Sequence, residues 1–352
     1  MKTAVVLFNL GGPLQEKDIK PFLFNFFMDK NIIGAPLPVR YLIAKYISIT
    51  RSKGVAKTGY AKLGYKSPLL KNTQAQAQQL EETLNKKYPD VADIFRVFVS
   101  MRYWEPTAQD TVQALDEFAP DRLVLLPLYP EYSTTTTNSS FENFWSVAQS
   151  TGSNLYAVCN KGLKVETVHC YPLMKGFVEA SAELVEAELE KAPSGTRVLF
   201  SAHGLPKKVI AGGDPYQYHC EQAATAIAAK AGLDQDCWRI CYQSRIGPLE
   251  WIGPPIRAEL ERAAQDKVGI VVYPHAFVSE HIETLVELDI DYKKEALDLG
   301  VPYYARVPTV STHPDFIAGL VGLVSDALEG RKQPQLCGTN FKRCGCAKKE
   351  TA

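Results

Sequence analysis

The chain has 352 residues, enough for about two domains at roughly 150 residues each. Hydrophobic residues make up 46% and charged residues 22%, which excludes a disordered tail, a collagen-like fibre and a multi-span membrane protein. Lys+Arg number 39 and Asp+Glu 39, and so even a balance argues against a partner bound through a broad nucleic-acid footprint.

The first predicted element is a buried strand at 3–8, where Ala4-Val5-Val6-Leu7-Phe8 is stopped by Gly11-Gly12-Pro13. The run is too short for the apolar core of a secretory signal, and no stretch reaches the roughly 20 apolar residues of a spanning helix. The expected compartment is a cytoplasm, where thiols stay reduced. Further strands are predicted at 94–99, 122–127, 166–170, 197–201, 238–242 and 268–273. Helical patterns occupy 71–87, 107–118, 173–191, 217–231, 255–265 and 314–329. Strands separated by helices of that length imply crossover connections and parallel sheets. Near-continuous apolar runs such as Leu123-Val124-Leu125-Leu126 fit strands covered on both faces.

A weak internal repeat organises these elements. Val6-Leu7-Phe8-Asn9-Leu10-Gly11-Gly12-Pro13 resembles Val198-Leu199-Phe200-Ser201-Ala202-His203-Gly204-Leu205-Pro206, and two later pairs of matches follow in the same order. The chain therefore reads as two similar α/β units with loops at the carboxyl ends of their strands, where ligands of open sheets bind. A cleft between the units is the expected pocket. The first half carries about fifty extra residues between its first two strands. They are apolar and aromatic at 21–34 and 39–47, broken by Asp29, Lys30 and Pro36. Such a segment packs as core helix, or forms an exposed apolar lip that rests on a membrane or covers a large flat ligand.

Four groups of residues carry chemistry. His203 follows a predicted strand directly; there an imidazole is a core residue, a proton acceptor near neutral pH or a metal ligand. In Ser279-Glu280-His281-Ile282-Glu283-Thr284-Leu285-Val286-Glu287, Ser279 reads as a helix N-cap. Glu280, Glu283 and Glu287 then fall at i, i+3 and i+7, on one face of an α-helix. With no lysine until Lys293, that face is a solvated acidic surface or a proton and metal path. Arg102-Tyr103-Trp104 and, in the other half, Arg245 and Trp251 offer a carboxylate binder and aromatic faces for flat rings. The hydroxyl-rich run at 133–140 reads as a helix cap or as donors to an anion. Three thiols crowd the tail, Cys337, Cys344 and Cys346, a pattern for zinc or an iron–sulfur cluster that lacks one ligand. Cys159, beside the turn-forming Asn160-Lys161-Gly162, is the expected fourth, with Cys170 the alternative.

Taken together, several of these motifs resemble the ferrochelatases. The resemblance rests on Ser201-Ala202-His203-Gly204-Leu205-Pro206 with Gly213-Asp214-Pro215-Tyr216, on Tyr242-Gln243-Ser244-Arg245 leading to Glu250-Trp251, and on the run from Ser279 to Asp289. Asn9-Leu10-Gly11-Gly12-Pro13 and Met101-Arg102-Tyr103 also match, so it spans residues 9 to 289 in family order. It implies an α/β chelatase-like fold of two Rossmann-like lobes, each a parallel four-stranded sheet flanked by helices. The lobes are expected at 1–165, with the apolar lip insert at about 14–60, and at 166–310; residues 311–352 would be a helix returning to the first lobe plus the cysteine-rich tail.

The resemblance further implies a lyase that inserts Fe2+ into protoporphyrin IX, giving protohaem and two protons in the terminal step of haem biosynthesis. Coproporphyrin III as substrate, or a carrier of haem or metal without turnover, are the alternatives; Leu10 in place of a tyrosine points toward protoporphyrin. His203 and Glu283 would be catalytic and would meet the iron, facing each other across the macrocycle. Glu280, His281 and Glu287 would form the polar path behind them. Leu10, Ser67, Arg102, Tyr103, Trp251 and Phe277 match porphyrin-pocket positions. The tail resembles that of ferrochelatases holding a [2Fe-2S] cluster, on Cys159, Cys337, Cys344 and Cys346. Thr134 after Tyr132-Ser133 excludes the remote ligand of the animal enzymes, so the pattern is similar to the bacterial variant. Residues 21–47 would make a peripheral contact with the inner face of the cytoplasmic membrane.

Overall fold

In a computed structural model, residues 1–89, 94–159, 162–245, 247, 249–331, 336–337 and 341–347 are described. The chain divides into two compact units. One comprises Met1–Tyr129, Ser133–His169 and Leu320–Pro334; the other comprises Pro130–Tyr132, Cys170–Gly319 and Gln335–Ala352.

The first unit is built on β1 (Lys2–Asn9), β2 (Ile94–Met101), β3 (Arg122–Pro127) and β4 (Lys164–Thr167), ordered β2-β1-β3-β4 and all parallel. Val5 stands opposite Val97 on one side and Val124 on the other. Ala4 to Phe8 are all buried, which explains the unbroken apolar run: a central parallel strand is covered on both faces. The second unit repeats the plan with β5 (Arg197–His203), β6 (Trp238–Gln243), β7 (Ile270–Tyr273) and β8 (Tyr304–Arg306), ordered β6-β5-β7-β8 and parallel. In each sheet the direction of winding reverses beside the first strand. For the second unit this places the crevice at the carboxyl ends of β5 and β7, the usual ligand position of such sheets. His203 is the last residue of β5.

The predicted elements form with small shifts, and several elements appear that were not predicted. The fourth strand lies at Lys164–Thr167 rather than 166–170. β8 was not foreseen, because three residues, Tyr-Ala-Arg, give no apolar run. The hydroxyl-rich segment leads into a helix, Thr137–Ser150, whose Phe144 and Ala148 enter the core against Phe8 and Leu125. Its opening Thr-Asn-Ser-Ser favours turns, so propensity hid a helix that packing supplies. The insert forms three helices, Ile19–Phe27, Leu37–Lys53 and Val55–Ala61. Buried and exposed apolar residues both occur, on different helices. Phe22, Leu23 and Phe27 are buried, whereas Leu37, Leu42 and Tyr46 are 60%, 67% and 70% exposed. Among the described residues no helix is long and apolar enough to cross a membrane.

One close approach in the second unit admits only glycine. A Cβ on Gly176, at the start of the helix Lys175–Leu189, would lie 2.0 Å from the backbone oxygen of Asp315. Backbone cannot rotate away as a side chain can. Gly176→Ala is expected to lower folding stability by about 2–3 kcal/mol. A thermal or urea midpoint unchanged from the parent would contradict this packing.

Candidate active site

The site is assembled from the ends of β5 and β6 and the segment after β7. The ring of His203 turns its Nδ1 to the carbonyl of Gly204 at 2.6 Å. Nδ1–H donates there, which leaves the Nε2 lone pair free. Tyr216 donates its hydroxyl to the backbone oxygen of His203 at 3.0 Å. Gly204 has no room for a side chain: a Cβ would lie 3.0 Å from the Gln243 oxygen and 3.2 Å from the Trp251 ring.

Nε2 of His203 lies 3.6 Å from Oε1 of Glu283, and Nε2 of His281 lies 3.3 Å from Oε2 of the same carboxylate. Burial works to raise the Glu283 pKa, but the two imidazoles, His203 foremost, outweigh it and hold the group down at about 2. Glu287 behaves oppositely. Burial first and the neighbouring Glu283 charge second push its pKa up, although Ser244 Oγ and Gln243 Nε2 donate to it at 2.6 and 3.2 Å. Ser244 reaches it from the left-handed region, φ 65°, an uncommon conformation for a residue with a side chain. The two carboxyls thus separate into a standing anion and a group that carries a proton readily.

The acidic segment is not the expected α-helix. Glu283–Tyr292 is a π-helix, begun by Ile282 without a side-chain cap, and Ser279 and Glu280 precede it. Such helices are rare and recur at functional sites. The i, i+3, i+7 spacing does not place three carboxylates on one face. Glu280 is instead drawn to Arg306 Nη1 at 2.9 Å and to the backbone N–H of Thr309 at 2.9 Å. Burial raises its pKa, but Arg306, Thr284 and Thr309 prevail and hold it below the ordinary value. Arg306 also grips Asp289 at 2.8 Å. Two aromatic rings flank the imidazoles, Trp251 at 6.4 Å from His203 and Phe277 at 4.6 Å from His281 between centroids.

The other expected porphyrin-pocket residues belong to the first unit. Leu10 accepts the Tyr103 N–H at 3.0 Å. Ser67 is buried and its Oγ accepts the N–H of Leu69 at 3.3 Å, at the head of the helix Leu69–Lys87. Arg102 and Tyr103 are engaged by Asp29, a residue whose importance was not legible in the sequence. Asp29 Oδ2 takes Arg102 Nη2 at 3.1 Å, the Tyr103 hydroxyl at 2.7 Å and the Ser139 hydroxyl. Tyr103 is only 2% exposed.

The tail thiols meet Cys170. Cys346 hydrogen-bonds with Cys170 and Cys344, and Cys344 with Cys337. His219 Nδ1 accepts the Tyr132 N–H at 3.2 Å, so its Nε2–H points at Cys337 Sγ, 2.8 Å away. The thiols of Cys337 and Cys346 donate to Cys344, which lowers the Cys344 pKa and raises theirs. Cys159 is elsewhere: it packs into the core of the first unit with Leu155 and Val165, and burial raises its pKa. Cys170 therefore replaces Cys159 as the fourth thiol of the group.

The model of the ferrochelatase family matches residues 2–328. The chain belongs to the ferrochelatase family. A ferrochelatase of Phenylobacterium zucineum is 46% identical over 358 residues, covering 100% of both chains. One of Caulobacter vibrioides is 45% identical over 354 residues, covering 98% of this chain and 97% of its own length. Among solved structures, SirB from Bacillus subtilis, with Fe3+, is 12% identical and aligns with a TM-score of 0.53 over 94% of this chain and 98% of its own. That likeness shows the fold. In this chain the last residue of β5 supplies the imidazole and the first residue of the π-helix after β7 the carboxylate.

The depressed pKa of Glu283 makes a pH prediction. An acid with a folded pKa of about 2 against an ordinary 4.5 adds stability that is complete above pH 4.5 and fades as pH falls toward 2. The stability difference between the protein and Glu283→Gln is expected to change across that window. Urea midpoints at pH 6 and pH 3 that differ by the same amount would contradict it.

Proposed function

We propose that the protein inserts Fe2+ into protoporphyrin IX, the step that forms protohaem, with release of two protons. The observation that carries this reading is the pairing of His203 Nε2 with Glu283 Oε1 at 3.6 Å at the carboxyl end of β5. An imidazole nitrogen and a carboxylate oxygen so spaced can share one first-row dication, whose bonds to such donors are about 2.0–2.2 Å long. The same spacing leaves no room for a macrocycle between them, since two carbon contacts of about 3.5 Å each are needed. Both groups therefore address one face of the ring, not opposite faces as the resemblance implies.

The chemistry follows from the protonation states. His203, its Nδ1–H committed to Gly204, offers Nε2 to a pyrrole N–H proton. Glu283, kept ionised, attracts the dication and stabilises the imidazolium that forms. Glu287, with its raised pKa, is the neighbouring group that can take up a proton, and Ser244 and Gln243 hold its carboxyl in place by donating to it. Glu280 and His281 hold the geometry of Glu283 and the π-helix. Trp251 and Phe277 supply apolar faces in the second unit, and Leu10, Ser67, Arg102 and Tyr103 are the porphyrin-contacting positions of the first. The exposed apolar residues of Leu37–Lys53, with Arg40 and Lys45 beside them, support a peripheral contact of 21–47 with the cytoplasmic membrane surface.

His203→Ala and Glu283→Gln are each expected to retain the fold and to lower the metallation rate by about 10²–10⁴. Rates measured on protoporphyrin and coproporphyrin side by side test the substrate as well. Normal turnover by either variant removes the assignment, binding of porphyrin with no turnover in the parent favours a carrier, and preference for coproporphyrin corrects the substrate.

Four thiols linked in a chain of hydrogen bonds suit a [2Fe-2S] cluster, and Cys170, Cys337, Cys344 and Cys346 would hold it. Such a group supplies one-electron redox chemistry and a covalent staple for the tail. Cys170→Ser and Cys344→Ser are expected to abolish visible cluster absorbance, and Cys159→Ser to preserve it. Loss of colour in Cys159→Ser with retention in Cys170→Ser would reverse the ligand assignment; a colourless protein with one zinc would make the site a zinc site.

A further inference from the structure

Glu131, Cys220 and His275 meet in the interior of the second unit, and none of them serves the chelatase chemistry above. Glu131 comes from the short Pro130–Tyr132 segment, Cys220 from the helix Tyr216–Lys230, and His275 from the turn after β7. One ligand atom of each lies within 4.8 Å of those of the other two. Glu131 is 2% exposed, and Cys220 and His275 are 0% exposed. Glu131 Oε1 and both ring nitrogens of His275 are buried without a hydrogen-bond partner. Protein interiors leave few such atoms, and finding them on two residues of one cluster signals a missing partner.

We propose that Glu131, Cys220 and His275 form a buried three-residue site for a divalent zinc-class cation. One imidazole nitrogen, one thiolate and one carboxylate oxygen are donors that zinc accepts together, whereas magnesium and calcium take oxygen ligands. The charges balance. The cation displaces the thiol and carboxyl protons to solvent, and its two positive charges are then cancelled by Cys220 and Glu131 with His275 neutral. Without a cation the same groups must stay uncharged. Burial pushes Glu131 up to about 8 and Cys220 well above its ordinary value. Burial also drives His275 down to about 4, although the Cys220 and Ser201 carbonyls favour its charged form. In a zinc site with bonds of about 2.0–2.3 Å, ligand atoms lie roughly 3.3–3.8 Å apart, so the three would close by no more than about 1.5 Å.

The site also touches the His203 support. Tyr216, whose hydroxyl holds the His203 carbonyl, hydrogen-bonds with Cys220. A cation on Cys220 would fix the helix that also carries Tyr216. The proposal does not depend on the chelatase reading.

The test uses the full chain produced in zinc-supplemented medium, freed of loose metal by chelator and dialysis. Metal analysis and zinc-edge X-ray absorption are read on the parent and on Cys337→Ser, which disarms the tail. The expected result is one zinc per chain in both, with one sulfur and otherwise nitrogen and oxygen neighbours. Zinc content should fall at least tenfold in Cys220→Ser and His275→Gln and persist in His203→Ala. A zinc-free parent, a spectrum with several sulfurs or none in Cys337→Ser, or unchanged zinc in both Cys220→Ser and His275→Gln overturns the proposal. The parent spectrum decides even where a variant fails to fold.

Discussion

The Glu283 carboxylate, about a quarter exposed, has an imidazole at each of its oxygens. His203 answers one and His281 the other. Removing either imidazole would take away part of what holds that carboxyl below its ordinary pKa. The neighbouring elements can be understood as what holds this arrangement in place. β5 ends at the residue that must face Glu283, Gly204 clears the space behind that ring, and Gln243 reaches from β6 to the Glu283 carbonyl at 3.0 Å. The π-helix sets Glu287 near enough to feel the Glu283 charge, yet within reach of Ser244.

Similar economy is seen among the cysteines. Three tail thiols and Cys170 share hydrogen bonds so that one of them, Cys344, is held as the low-pKa member. His219, pushed down to about 4 mainly by burial, is kept neutral and donates to Cys337. These two polar groups of the second unit are of quite different character. The Glu283 group is lined by imidazole and carboxylate; the tail group is thiol-rich and anchored by a neutral histidine.

Much of the fold was legible in the sequence, because central parallel strands must be apolar on both faces and that leaves an unmistakable run at Ala4–Phe8 in numbers 4–8 and at 123–126. Elements that owe their form to tertiary context were hidden. β8 is too short to carry a pattern, and the Thr137–Ser150 helix opens with residues that favour turns. Within the site, His203, Glu283, His281 and Glu287 were legible from their motifs and do converge. The π-helix was not, since acids at i, i+3 and i+7 read equally as an α-helical stripe. Cys159 and Cys170 could not be separated by spacing alone; only the packing of Cys159 into the first unit's core tells them apart. Asp29 and Arg306 were missed because a single charge in an apolar run, or in a short edge strand, gives no sequence signal of the pairs it makes.

The clamp made by Arg306 has a consequence for how the site tolerates change. Its guanidinium ties Glu280, just ahead of the π-helix, to Asp289, within it. Arg306 is the last residue of β8, whose register against β7 is fixed by Ile270 facing Tyr304 and Val272 facing Arg306. An edge strand of three residues thus acts as a ruler for the acidic segment. Lengthening the loop before Tyr304 would be harmless so long as that register survives, whereas sliding the strand by a single residue would turn the guanidinium to the opposite face and release both ends of the segment at once.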